Sequence, residues 1–285
     1  MAKSALLKSS IAKKYWMALT GLFLCLFLAG HLAGNLQLIF GDALQFNQYA
    51  LFMTSNPAVK LLSYVTYFSI LFHAIDGIML TIQNKKARPV AYAMNNPSNN
   101  STLASRNMAV LGTLILVFIV THMVNFWAVM HFDKNMPLMK QTVEAQGMKQ
   151  EVYLGREVGQ FYPADQIQLA TEPANPMMPK PMVIKNGTDI YNAQANVKIG
   201  ELFKDLHKIT FAFFQNPKTG LLATILYVLA MGVLAFHLLH GFQSAFQSLG
   251  VNNKFTPAIK TFGKLFAIIV PLLFAIIPVY IHFVK

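Results

Sequence analysis

The chain has 285 residues, of which 55% are hydrophobic and 12% charged, and its mean hydropathy is +0.45. Soluble domains carry about 25% charged residues, so this composition excludes an ordinary soluble fold and points to an integral membrane protein. The formal charge of +12 could suggest nucleic acid, but nine of the eleven acidic residues lie between Asp133 and Asp205, with only Asp42 and Asp76 elsewhere; charge sorted in this way marks membrane topology and excludes a nucleic-acid footprint.

Crossing a hydrocarbon core of about 30 Å takes roughly 20 helical residues. Taken in chain order, five stretches are long enough: Tyr15 to Phe40, Ala58 to Gln83, Met108 to His131, Gly220 to Leu249 and Phe262 to Phe283. The first follows a basic start, as a signal peptide would, but its apolar run is longer and carries His31, so it is expected to remain a membrane helix. Lys3, Lys8, Lys13, Lys14, Lys85, Lys86, Arg88, Arg106, Lys254, Lys260 and Lys264 fall on the N-terminal side of the spans, whereas the short connections opposite hold only Lys60 and Lys285. The positive-inside rule then predicts a cytoplasmic N-terminus and an outer C-terminus. Between the third and fourth spans, Phe132 to Pro217 is expected to form a long outer loop. It is proline-rich around Glu172 to Pro181 and has an amphipathic surface helix at about 200–214. The expected fold is one all-α membrane domain over residues 1–285, its first four spanning helices forming a bundle. The lone cysteine, Cys25, excludes an intrachain disulfide and a thiolate cluster, leaving histidine, carboxylate or a prosthetic group to carry any metal.

Ionisable residues within membrane helices are functional candidates by default. His31, His73, His122 and His237 or His240 stand on four successive spans, and helices rise about 1.5 Å per residue. His31 precedes Asp42 by 11 residues and His122 precedes Asp133 by 11, so both lie roughly 16 Å below the outer edge. His73 follows Pro57 by 16 residues and His237 follows Pro217 by 20, which is roughly 24 and 30 Å. Two levels with two imidazoles each are the requirement for two bis-histidine haems stacked across the membrane. Gly30, Gly34, Gly77, Gly112 and Gly241 flank these positions and would leave room for a flat macrocycle, although small residues also mark ordinary helix crossings. His240 has a depth that would also suit a ligand. However, "HAIDG" from His73 and "HLLHG" from His237 share the pattern H-x-x-x-G, which makes His237 the counterpart of His73 and aligns His240 with Asp76. His240 and Asp76 are then expected beside the inner pair, with His240 hydrogen-bonded to a haem propionate or to Asp76 as a neighbour that tunes it, or making an ordinary interhelical bond. His131, His207 and His282 receive interfacial or structural readings.

The stretches "GHLAGNLQ" at Gly30, "QFNQYALFMTSNP" at Gln45, "FHAIDGI" at Phe72, "VTHMVNFW" at Val120 and "FHLLHGFQSAFQSLG" at Phe236 together resemble the cytochrome b membrane-anchor subunit of succinate:quinone oxidoreductases. The resemblance is to the single-chain, five-helix, di-haem type, and it spans the chain apart from Asp133 to roughly Val197. It implies two haem b, with His31 and His122 as iron ligands of the outer haem and His73 and His237 of the inner. It also implies a flavoprotein and an iron-sulfur subunit docked on the cytoplasmic face, and menaquinone reacting near the outer haem. The setting it implies is a bacterial cytoplasmic (inner) membrane, with the chain serving as a subunit of succinate:menaquinone oxidoreductase. Asn35, Gln37, Asp42 and Gln45 are the quinone-site candidates, with helix termination and loop hydrogen bonding as their plain alternative. The chain departs from some fumarate-reducing relatives at Ala235, where those carry a glutamate, and in its longer outer loop. The basic cytoplasmic loops suit either the soluble subunits or anionic membrane lipid. The alternatives are a menaquinol:fumarate reductase anchor, which the resemblance leaves open, a di-haem anchor of a hydrogenase or formate dehydrogenase, and a haem-free transporter relaying protons through Asp76 and the histidines.

Overall fold

The computed structural model describes residues 10–90, 96, 99, 101–145, 147–169 and 177–284. Lys3, Lys8, Lys285 and the start of the proline-rich run at Glu172 lie outside these. Helix α1 (Ser10–Asn35) turns at Leu36 into the short α2 (Gln37–Phe40), followed by α3 (Ala43–Ser55), α4 (Pro57–Ala87) and α5 (Leu103–Arg106). Helix α6 (Met108–His122) runs through six π-helical residues, Met123–Ala128, into α7 (Val129–Phe132). The last three helices are α8 (Leu206–Phe214), α9 (Gly220–Ser248) and α10 (Thr256–Phe283). Five helical stretches are long and apolar enough to cross a membrane: Ile11–Phe40, Pro57–Ala87, Met108–Phe132, Gly220–Ser248 and Thr256–Phe283. They coincide with the expected spans, and the chain is a multi-pass membrane protein.

The described residues divide into two compact units. The first contains the chain up to Phe40, Met53–Thr121 and Phe213 onward. Within it α1 packs against α4, α9 and α10. Its core joins Cys25 of α1, Met231, Leu234, Leu238 and Phe242 of α9, and Ala267 of α10. The α9–α10 contact depends on a residue without a side chain, because a Cβ on Gly263 would lie 2.5 Å from Phe242 Cδ1. Small residues serve membrane helices in this way, where close van der Waals packing replaces the hydrophobic drive of water. The outward faces keep large apolar side chains exposed, Leu26, Leu61 and Phe262 among them, as lipid-facing helices must. Asn56 begins α4, its side-chain oxygen accepting from the Ala58 and Val59 amides at 2.9 and 3.3 Å, with Pro57 at the first helical position.

The second unit contains Gly41–Phe52 and His122–Ala212, and here the structure departs from the expected loop. Seven strands occupy the described part: β1 (Lys140–Ala145), β2 (Met148–Leu154), β3 (Phe161–Pro163), β4 (Ile167–Gln168), β5 (Met182–Lys185), β6 (Asp189–Asn192) and β7 (Lys198–Glu201). One antiparallel sheet has the order β1-β2-β3, and a second has the order β4-β5-β6-β7 with β4 parallel to β5. Tyr153, Ile167, Met182, Ile190 and Leu202 form its core. Met139, Leu154 and Phe203 pack against Ala43, Leu44 and Leu51 of α3. The helix expected at 200–214 begins only at Leu206, because Lys198–Glu201 is paired as β7. Asp205 sets the start of α8, its Oδ1 accepting from the Lys208 amide at 2.9 Å in the manner of an N-cap. Asn47 of α3, 1% exposed, completes the cap: its Nδ2 donates to Asp205 Oδ1 at 2.9 Å and its Oδ1 accepts from the His207 amide at 3.0 Å.

Hydrogen bonds to charged groups contribute about 1.5–3 kcal/mol each. Asn47→Leu is therefore expected to destabilise this unit by about 2–3 kcal/mol, seen as faster limited proteolysis between residues 138 and 205 of the full chain; an unchanged rate would show that the buried bond is dispensable. The same unit should respond to pH. Burial holds His207 below its ordinary value of 6.5, against the opposing pull of Asp205 and Asp42. Its unfolded form binds a proton at higher pH than the folded one, so this contribution to stability is complete above about 6.5 and is lost as pH falls through the lower folded value. Protease sensitivity should rise between pH 7 and pH 5, and less steeply in His207→Phe.

Candidate functional site

Helices α4 and α9 bring two of the singled-out histidines into an edge-on ring contact. The ring centroids of His73 and His237 lie 6.2 Å apart with planes inclined at 69°. Each ring rests against glycine. A Cβ on Gly21 of α1 would stand 3.2 Å from His73 Cε1, and Cβ atoms on Gly112 of α6 and Gly241 of α9 would stand 3.9 and 4.0 Å from His237. Thr20, beside Gly21 and only 5% exposed, sets its hydroxyl 3.2 Å from His73 Nδ1. His237 Nδ1 is buried with no hydrogen-bond partner among the described residues.

This separation has a chemical meaning. Metal–imidazole bonds of about 2 Å, extended by about 1 Å from each nitrogen to its ring centre, put two axial imidazoles about 6 Å apart. The 6.2 Å between the His73 and His237 ring centroids matches that spacing. In distance, the inner pair is compatible with a bis-histidine prosthetic group.

The other candidates can be placed one by one. His31, on α1, stacks on Phe27 at 5.2 Å and 14° and lies 5.7 Å from the Phe274 ring. A Cβ on the neighbouring Gly30 would meet nothing within 4 Å. Asn35 donates to the His31 carbonyl at 2.7 Å and reaches both ring nitrogens at 3.4 Å, so its amide belongs with that ring. His122 ends α6 directly before the π-helical turn, its ring 5.4 Å from that of Phe126. Such π segments insert a residue into the helix and re-aim side chains, frequently at functional sites. Asp76 and His240 make no hydrogen bond or ion pair among the described residues, so a direct bond between them, one option for a tuning pair, is not formed.

Among the four outer-end candidates, Asp42 accepts from the Gln45 amide at 2.8 Å and caps α3. Gln45 is exposed. Gln37 has a buried side-chain oxygen with no partner among the described residues. The remaining histidines have local partners: His131 Nδ1 lies 2.8 Å from the Trp127 carbonyl, His282 Nδ1 lies 2.6 Å from the Phe214 carbonyl, and His207 stacks on Phe211 at 4.2 Å. Thr20 and Gly21 carry no signal of their own in the sequence. A threonine and a glycine in an apolar helix are ordinary, and only the approach of α4 gives them a role. Comparison with protein-family models, curated proteins and solved structures gave no match.

Overfilling a tight contact costs about 1–3 kcal/mol. Gly21→Val should therefore lower the thermal stability of the detergent-solubilised chain by that order, whereas an unchanged melting temperature would mean that His73 turns away from α1 without cost.

Proposed function

We propose that this chain is the membrane-anchor cytochrome b of a succinate:menaquinone oxidoreductase, holding two b haems. The observation that carries the reading is the His73–His237 pair, drawn from α4 and α9 with ring centroids 6.2 Å apart. His73 and His237 would hold the inner haem, and His31 and His122 the outer one. Held by these histidines, the haems would supply one-electron transfer rather than oxygen chemistry. The chain's own work is to orient the imidazoles, keep water from the core of the bundle and deliver protons at the quinone.

The N-terminal side, with its eleven basic residues, faces the cytoplasm in this reading. It receives the iron-sulfur subunit and, beyond it, the flavoprotein that oxidises succinate. Electrons leave toward menaquinone at the outer end, where reduction to the quinol takes up two electrons and two protons. Of the polar residues there, Gln37 is the one whose buried acceptor is still open to a donor such as a quinol hydroxyl, while Asp42 is engaged as a helix cap. Ala235 stands where some fumarate-reducing relatives carry a glutamate, and succinate oxidation is the favoured direction.

The test is the haem content and spectrum of the purified chain, followed by activity of the assembled complex. Two b-type low-spin haems per chain are expected, with His73→Ala or His237→Ala leaving one and His240→Ala leaving both. A colourless wild-type protein would overturn the reading in favour of a haem-free transporter. Both haems without succinate:menaquinone activity would move the chain to another di-haem anchor.

A further inference from the structure

The two imidazoles of the inner pair are not held alike. Thr20 is 5% exposed, and its hydroxyl lies 2.7 Å from the Trp16 carbonyl and 3.3 Å from that of Met17, the back-bonding usual for threonine in a membrane helix. A hydroxyl has one proton and two lone pairs. With that proton directed at the Trp16 carbonyl, the oxygen accepts at its other contact, 3.2 Å away at His73 Nδ1, and the Met17 carbonyl is a second backbone acceptor for the same ring. The proton on the His73 ring therefore sits on Nδ1, and Nε2 is left as a bare lone pair. Gly21, one residue on, closes the opposite degree of freedom: a Cβ there would press on Cε1 at 3.2 Å, so α1 abuts the edge of the ring and limits its rotation. On the other side of the pair, His237 Nδ1 is buried and has no hydrogen-bond partner among the described residues.

We infer that Thr20 is the positioning residue of the inner site: it selects the tautomer of His73 that presents Nε2 and fixes the plane of that ring, whereas His237 has no such anchor. The inference rests on the reading of His73 and His237 as haem ligands. A hydrogen bond donated from Nδ1 makes an imidazole a stronger electron donor through Nε2 and favours the oxidised metal. Thr20 thus holds the potential of the inner carrier low as well as setting its geometry, and it does so without touching the metal or the quinone.

The experiment uses the full-length chain, with the wild-type haem content measured first. Thr20→Val keeps the shape and removes the hydroxyl, and Thr20→Ser keeps the hydroxyl. Each is followed by a redox titration of the two haem signals and by low-temperature electron paramagnetic resonance of the oxidised protein. In Thr20→Val the titration wave of the inner haem, identified as the one lost in His73→Ala, should move upward and its low-spin signal should shift, with the second haem unchanged, while Thr20→Ser should stay close to wild type. Selective loss of one haem in Thr20→Val with retention in Thr20→Ser would equally support the hydroxyl's role. Two haems with wild-type potentials and spectra in Thr20→Val, or loss of haem in both variants, would overturn the inference, since the residue would then be inert or mere packing. A wild-type chain without haem would instead overturn the reading on which it rests.

Discussion

An imidazole within hydrocarbon is under a constraint that organises its surroundings. A buried polar group left unpaired costs several kcal/mol in an apolar medium, so each ring in the spans must find a hydrogen-bond partner, a metal or a route to water. At the inner level this requirement accounts for which helices meet and how closely. Helix α4 carries His73 against α1, where Thr20 supplies an acceptor and Gly21 supplies space. Helix α9 carries His237 toward the same point, with Gly112 of α6 against the ring. A larger residue at Gly21 would press on the His73 ring, so this glycine and its histidine are parts of one arrangement.

The same reasoning explains the order of the packing. The core of the membrane unit is made by α1, α9 and α10, joined through Cys25, Leu238, Phe242 and Ala267, and it provides a frame beside the histidine pair. Helix α6 has no buried residue, yet its glycine stands against His237 and its Ile115 and Phe118 pack on that core. A helix with so little burial is one whose place depends on what it contacts at a few positions. Its π-helical continuation after His122 shows a backbone adjusted next to a ligand candidate.

In the second unit the governing problem is again the unpaired polar group, but at helix ends. The first amides of α8 have no partner within the helix, and Asp205 and Asn47 supply the acceptors. Because Asn47 lies on α3, far away in sequence, capping α8 also ties α3 to the chain leaving the strands. Strands β1 to β7 then bury a core of their own around Ile167, Ile190 and Leu202.

The sequence by itself determined the five spans and which four of them carry the candidate ligand histidines, because the thickness of the hydrocarbon imposes a length that any apolar run must meet. It also marked His73 and His237 as counterparts through their shared H-x-x-x-G spacing. The strands were less legible. They are short, mixed in polarity and split by proline, although Asn186 and Gly187, both at positive φ between β5 and β6, form the kind of turn that signals a hairpin. What only the tertiary structure decided was pairing across the chain: that Thr20, 53 residues from His73, lies within hydrogen-bonding distance of it, that Asn47 meets Asp205, and that Gly263 lets Phe242 approach. Hydropathy and period constrain each helix along its own axis. Rotation about that axis, and with it the neighbours each side chain meets, is set when helices pack.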